Sequence, residues 1–295
     1  MNVQRIIRFY EQHRARNESL VLATVVDTGG STYSKAGEQM LIDGDGNFCG
    51  ILSGGCLEGD IVARSKSVLW ENQAQTASYD LSPDDDLWGL GVGCEGTMQV
   101  YLQPLTADND FEPFRSISKI LNGREPANIE ISPDHCLRFW PSPTLLVMGA
   151  GPDSEPLVRI AAELGWRCTV VDHRPAYIDS RDFADSTRAI CIAVDELSKN
   201  LELTDFDMAL VMSHHLVSDR SYLRQLAHTD IGYVGLLGPP KRRDRLLREL
   251  GDAAKLLKGR LSAPAGIQLG GRGPGAISVE IIAEMQQHLS AHRDR

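Results

Sequence analysis

The spacing of apolar residues predicts two regions of different architecture. In the first region, alternating or short continuous apolar runs predict strands, and apolar residues three or four positions apart predict helices. The predicted strands lie at 20–28, 38–44, 48–52, 75–79 and 96–105. An opening amphipathic helix and a second helix at 57–72 accompany them. A DGDGN turn indicates a hairpin between the second and third strands, so we expect an α+β domain.

The second region alternates short apolar strands with helices. The strand TLLVMGAG, at 144–151, is followed by a helix at 154–165, and RCTVVD, AICIAV, DMALVMS and IGYVGLLG continue the strands. Strands that alternate with helices predict a parallel, doubly wound sheet covered on both faces. The fold class is therefore α/β, with a glycine-rich α+β domain before a Rossmann-like domain.

Between these regions the periodicity weakens and prolines recur. We place an N-terminal domain at 1–105, a connector at 106–142 with a short helix around Phe114–Leu121, and a C-terminal domain at 143–295. A chain of 295 residues is long enough for two ordinary domains.

Composition narrows the function classes. A formal net charge of −10 argues against a general nucleic-acid binder, which needs a basic face. No apolar run reaches the roughly 18 residues that cross a membrane, and the N-terminus lacks the apolar core of a signal peptide. The six cysteines form no CxxC pair, which speaks against a zinc finger or an iron–sulfur site. We expect a soluble cytoplasmic protein with reduced thiols.

Two cysteines stand in glycine-rich turns. Cys56 lies in SGGCLEGD, after Ser53, Gly54 and Gly55, and Cys94 lies in GVGCEGT. Glycines permit unusual backbone angles and let a ligand approach the main chain. Two such cysteines favour a shared function over chance, and both are candidate ligand contacts. Cys49, in a predicted strand, is expected in the core.

The turn GAGPDS carries part of a dinucleotide-binding pattern. Gly149 and Gly151 permit a tight turn and a close approach of phosphate at a helix N-terminus, with Ser154 in the third position. Asp172 ends the next strand, where an acidic residue accepts a ribose hydroxyl in such folds. The acidic residues at 153 and 155 are unfavourable beside a pyrophosphate. Nucleotide binding and a purely structural Rossmann layer both stay open.

Further candidates follow later strands. His214 and His215 come after DMALVMS, at the carboxyl end of a predicted parallel strand, where ligands of open α/β sheets bind. Arg272 stands among glycines before the last helix, as a phosphate clamp or as part of a helix cap. The basic residues of PKRRDRLLREL are either phosphate contacts or, as the simpler interpretation, side chains that face solvent. These are Lys241, Arg242, Arg243 and Arg245.

Several stretches in one order resemble the XdhC/CoxI family, the accessory proteins of molybdenum hydroxylases such as xanthine dehydrogenase. The similarity extends from about Leu20 to about Gln286. The stretches that carry it are GGSTYSKAGEQMLI, SGGCLEGDIV, GVGCEGTMQVYLQPL, LLVMGAGPDSEPL, TVVDHRP, SHHLVSD, GLLGP and PAGIQLGG.

The resemblance implies an N-terminal XdhC/CoxI domain, a C-terminal Rossmann-like XdhC domain and a homodimer. It implies a chaperone that binds molybdenum cofactor, supports its sulfuration by a cysteine desulfurase and delivers it to a molybdenum hydroxylase apoenzyme. Carried over by motif, Cys56 and Cys94 are candidate contacts to molybdenum or its sulfido ligand, because thiolates are soft donors. The cofactor can carry an attached nucleotide.

The chain departs from the family at Gln268 and GGRGPG, where an aspartate and an acidic stretch are common, and in GAGPDSEP, where other members have a histidine. Both departures lie in the second domain. The alternative function is an NAD(P)-dependent oxidoreductase in which Asp172 holds the ribose and His214 or His215 is the acid/base. A nucleotidyltransferase is disfavoured because no lysine-containing nucleotide loop is evident.

Overall fold

The structure is a computed structural model that describes residues 3–81, 96–183 and 187–293. The chain folds into two compact units, Met1–Ser142 and Pro143–Arg295. No helix in these described stretches combines the length and apolar character needed to cross a membrane.

An antiparallel sheet forms the centre of the first unit. The strands are β1 (Leu20–Gly30), β2 (Gln39–Asp43), β3 (Phe48–Cys49), β4 (Gln75–Asp80) and β5 (Gly96–Leu105). They are arranged in the order β3-β2-β1-β5-β4. The helices are α1 (Val3–Ala15), α2 (Glu58–Glu71) and α3 (Phe114–Asn122), and a separate hairpin consists of β6 (Ala127–Ser132) and β7 (His135–Phe139).

The apolar residues of β1 alternate between two cores because successive side chains of a strand point to opposite faces. Val21 and Ala23 pack with Ile61 of α2, whereas Leu20 and Leu22 pack with residues of α1 and α3. Burying a side chain such as Leu22 fully contributes about 2 kcal/mol. The sheet is therefore covered on both faces.

Residues 106–142, which the loss of periodicity predicts to be a connector, contain α3 and the β6–β7 hairpin. Phe114 and Ile117 of α3, with Ile131 and Phe139 of the hairpin, join the same apolar core as α1. This segment therefore helps to cover one face of the first sheet.

A parallel sheet forms the centre of the second unit. The strands are β8 (Thr144–Met148), β9 (Arg167–Asp172), β10 (Thr187–Cys191), β11 (Met208–Val211), β12 (Tyr233–Leu236) and β13 (Leu261–Ser262). The helices are α4 (Ser154–Glu163), α5 (Pro175–Asp179), α6 (Leu197–Asn200), α7 (Leu216–Ala227), α8 (Pro240–Leu250), α9 (Ala253–Leu256) and α10 (Pro274–Arg293).

The strand order β10-β9-β8-β11-β12-β13, with every pair parallel, is that of a Rossmann fold. Leu146 and Met148 of β8 face one core, and Leu145 and Val147 face the other. The predicted fold class, an α+β domain before a Rossmann-like domain, is confirmed. The order reverses between β8 and β11, so the loops after these two strands lie at the switch point.

Candidate functional site

The loop that carries Cys56 connects β3 to α2 and is organised by a carboxylate. Gly54 and Gly55 have φ angles of 77° and 115°, the left-handed region that favours glycine. Glu58, in the first turn of α2, accepts hydrogen bonds from the backbone amides of Leu52 (2.9 Å), Ser53 (2.8 Å) and Gly55 (2.9 Å). The glycines therefore bend the loop around a side chain of the protein itself.

Ser53 completes this arrangement. Its hydroxyl donates a hydrogen bond to Glu58 Oε2 over 2.5 Å and accepts one from the amide of Leu57 over 2.7 Å. Burial by itself raises the pKa of the Glu58 carboxyl, but the hydrogen bonds from Ser53 and the loop amides outweigh it. The pKa of Glu58 consequently lies below its ordinary value, and the loop contains a buried, ionised carboxylate.

Cys56 lies at the outer side of this loop and is exposed. Cys49 is half-buried against the core, and burial raises the pKa of its thiol. Cys168 is buried among apolar side chains, where its pKa rises to about 12. Cys94, the second predicted thiol contact, lies outside the described residues. The structure thus presents Cys56 as an accessible thiol on a preorganised turn.

The loop after β8 is held by backbone contacts and by Asp172. A side chain on Gly149 would meet the carbonyl oxygen of Met212 at 2.6 Å, and the φ of Gly149 is 123°, so only glycine fits there. Asp172, 1% exposed, accepts from the amide of Ala150 over 2.9 Å. It also accepts from the Arg174 backbone and from both arms of its guanidinium at 2.8–2.9 Å.

These contacts use both oxygens of Asp172. Burial raises the pKa of this carboxyl, but the Arg174 side chain and the backbone donors outweigh that effect. The pKa of Asp172 therefore lies below its ordinary value, and the carboxyl remains ionised. The guanidinium of Arg174 in turn stacks on Tyr177, 3.6 Å from the ring centroid. In the structure Asp172 is a brace for the glycine loop, an arrangement that does not favour a ribose contact.

His214 and Asp153 close the same loop from the outside. His214 Nε2 lies 2.6 Å from Asp153 Oδ2, and the other oxygen of Asp153 is buried beside Gly151. His214 has a φ of 59°, in the left-handed region. Gly149, Gly151, Asp172 and His214 do therefore meet at one edge of the sheet. A carboxylate stands there, however, where a dinucleotide would place its phosphates.

The start of the basic helix is only partly solvated. Asp219 is fully buried, and its carboxylate accepts from Ser213 Oγ at 2.5 Å and from Arg242 Nη2 at 2.5 Å. The interpretation that Arg242 faces solvent is wrong, because a buried carboxylate needs a charged partner. Arg245 instead pairs with Glu249 at the helix surface.

Arg272 is exposed on the loop before α10. Glu280, which belongs to α10, accepts hydrogen bonds from three consecutive amides of that loop, those of Leu269, Gly270 and Gly271, at 3.0–3.3 Å. Here too a glycine-rich turn is filled by an acidic residue of the helix that follows. Sequence reasoning missed these acidic residues, although Glu58 and Glu280 each stand in the helix that follows the glycines.

Metal-ligating side chains do not cluster in the described stretches, where no group of three or more His, Cys, Asp or Glu residues is placed to hold a metal ion. Cys56 offers one accessible sulfur donor on its turn. The soft sulfur of Cys56 fits a contact to molybdenum.

Comparison with known proteins assigns both units. Residues 13–80 match the model described as "XdhC and CoxI family", and residues 145–285 match the "XdhC Rossmann domain". A Bacillus subtilis (strain 168) protein, named as a probable xanthine dehydrogenase subunit, is 31% identical over 92% of this chain and 93% of its own.

Two further relatives agree with this assignment. The "Molybdenum cofactor insertion chaperone PaoD" of Escherichia coli (strain K12) is 23% identical over 66% of this chain and 65% of its own. A crystal structure described as a xanthine dehydrogenase from Bacillus halodurans superposes with a TM-score of 0.81 at 28% identity, over 97% of this chain and 96% of that one.

Proposed function

The chain belongs to the XdhC and CoxI family, and from that premise we propose that it is a molybdenum cofactor chaperone. Its cargo is the molybdenum cofactor, which it holds while the sulfido ligand is installed and then inserts into a xanthine dehydrogenase-type molybdenum hydroxylase. A relative named as a molybdenum cofactor insertion chaperone supports this proposal, as does the relative named for xanthine dehydrogenase.

The observation that carries the proposal is the exposed thiol of Cys56 on a turn that is held in place before any ligand binds. A preorganised contact loses little conformational entropy when the ligand arrives. Ser53, Gly54 and Gly55 contribute by fixing the turn around Glu58, so their proposed role is to position Cys56. Cys94 remains proposed as a second thiol contact.

The partners follow from the same proposal. They are a cysteine desulfurase as sulfur source, the hydroxylase apoenzyme as recipient and a second copy of the chain. In the Rossmann unit, Gly149, Gly151, His214 and Arg272 remain proposed contacts to the cofactor or its attached nucleotide, and the proposed role of Asp172 is to position the glycine loop for that contact. An NAD(P)-dependent oxidoreductase is the weaker candidate, because Asp172 and Asp153 use their carboxylates within the loop.

The test compares Cys56→Ala with Cys136→Ala, an exposed cysteine of the same unit. Each protein is purified from a host that makes molybdenum cofactor, and the released small molecules are identified by mass spectrometry. We expect Cys56→Ala to lower molybdenum and pterin content at least fivefold, while its unfolding free energy changes by less than about 0.5 kcal/mol. Cys136→Ala should match the wild type.

Full cofactor content and full activation of the apoenzyme by Cys56→Ala would contradict the role of this thiol. Release of NAD in place of pterin products from the wild type would favour the oxidoreductase. A large loss of stability in Cys56→Ala would mark the cysteine as a structural residue.

A further inference from the structure

A cleft of about 620 Å³ opens in the first unit between α1, the loop after β1 and the end of β3. Its volume is in the range of small-molecule sites in proteins. Gly50, with a φ of 106°, lets the chain pass directly against the backbone of β2 at the cleft wall. Hydrophobic periodicity does not predict the cleft, because its walls come from three separate segments.

The cleft carries a positive charge in a protein whose net charge is −10. Among the described residues that line it, Arg5 and Lys35 are cationic and Glu38 is the one carboxylate. Burial raises the pKa of Cys49, only partly offset by the Arg5 charge, so this lining thiol is neutral at pH 7. The local charge therefore favours an anionic group, against the charge of the whole protein.

Aromatic rings stand at the same cleft. Tyr33 is 65% exposed and Phe48 is 45% exposed, and both line it. Large apolar side chains that stay exposed around a cavity mark a surface that a ligand covers. A flat aromatic face suits a planar heterocycle, which stacks on it.

The cleft adjoins the turn that carries Cys56. A side-chain carbon on Gly54 would lie 3.4 Å from the ring of Tyr33, so the turn packs directly against the aromatic wall. Ile51, which also lines the cleft, lies two residues before Ser53. Tyr33 therefore lines the cationic cleft and also lies beside the turn that carries the exposed thiol.

We propose that this cleft binds a planar heterocycle that bears a phosphate monoester, with Lys35 and Arg5 on the phosphate and Tyr33 on the ring. This inference rests on the proposed function and deepens it. The cleft takes the organic half of the cargo, the pterin and its phosphate, and Cys56 contacts the metal-bearing half.

The test measures dissociation constants by pterin fluorescence for two probes, 6-hydroxymethylpterin phosphate and 6-hydroxymethylpterin. Lys35→Gln should weaken the phosphate probe about tenfold, the expected loss of a charge-assisted hydrogen bond, and leave the other probe unchanged. Tyr33→Ala should weaken both probes. Lys66→Gln, which changes an exposed lysine of α2, is the charge-matched control and should bind both probes like the wild type.

Tyr33 and Lys35 are exposed, so both variants should fold, which thermal unfolding checks. Wild-type binding of both probes with no loss in Lys35→Gln and Tyr33→Ala would overturn the cleft and leave the chaperone function standing. Equal weakening of the two probes by Lys35→Gln would overturn the phosphate contact. A wild type that binds neither probe and carries no pterin from the host would overturn the cleft and the proposed function together.

Discussion

The glycine-rich turn around Cys56 and the one after β8 are both held by a buried carboxylate, but they leave different groups accessible to a ligand. In each, a buried carboxylate accepts hydrogen bonds from backbone amides of the turn. This carboxylate is Glu58 in the first unit and Asp172 in the second. The first turn leaves a thiol exposed beside a cationic cleft. The second is covered by Asp153 and His214 and braced by Arg174. Glycines thus indicate tight backbone geometry, and the surrounding side chains decide whether a ligand can use it.

The largest effect is expected at the brace of the second turn. Asp172→Ala removes the partner of Arg174 and the acceptor of the Ala150 amide, so it should lower the stability of the second unit by about 4 kcal/mol. Hydrogen exchange followed by mass spectrometry measures opening of each unit separately. Asp179→Ala, an exposed aspartate of the same unit, is the control. A loss below about 1 kcal/mol would show that Asp172 is replaceable in the turn.

The next effect concerns the first turn. Glu58→Ala leaves three backbone amides and the Ser53 hydroxyl without their acceptor, which should lower the stability of the first unit by about 3 kcal/mol. The same exchange experiment tests it, with the exposed Glu71→Ala as control. Cofactor content should fall with it, because Cys56 loses its fixed position. Unchanged protection of residues 52–57 would contradict the prediction.

Acid should remove the stabilising contribution of Glu58 gradually, because its carboxyl becomes protonated as the pH falls. The pKa of Glu58 is lowered in the folded protein, so its contribution is fully present above its ordinary value of 4.5 and is lost as the pH falls through the folded value. Glu58→Gln carries no titrating group, so its stability should fall less steeply than that of the wild type below pH 4.5. Urea unfolding at several pH values measures both slopes, and parallel curves would refute the assignment.

The smallest effect is expected at the outer closure of the second turn. His214→Ala removes a hydrogen-bonding partner of Asp153, and because the imidazole is 59% exposed, water can take its place and the loss should stay below about 1 kcal/mol. His228→Ala, another exposed histidine of this unit, provides the comparison. If His214→Ala instead lowered the stability of the unit by more than about 2 kcal/mol, the histidine would be as much a brace as Asp172.

The periodicity of the chain predicts both sheets because their strands and helices each have strong local patterns. It does not predict the β6–β7 hairpin, because the two strands are short, Pro126 directly precedes the first and Pro133 stands in the turn that joins them. The exposure of Cys56 could be predicted, because no apolar run surrounds it. The role of Glu58 could not, since a glycine turn that binds a phosphate and one that binds its own carboxylate have the same local pattern.

Glu58 also bears on how quickly a bound molecule leaves. Backbone amides of a glycine turn are rigid donors, and a phosphate held by several of them dissociates slowly. Because Glu58 already occupies these amides, a ligand beside this turn is left to exposed side chains such as Lys35 of the adjoining cleft. A short residence time suits a protein that passes its cargo to another. Transfer then requires only that the recipient bind the cargo more tightly than this surface does.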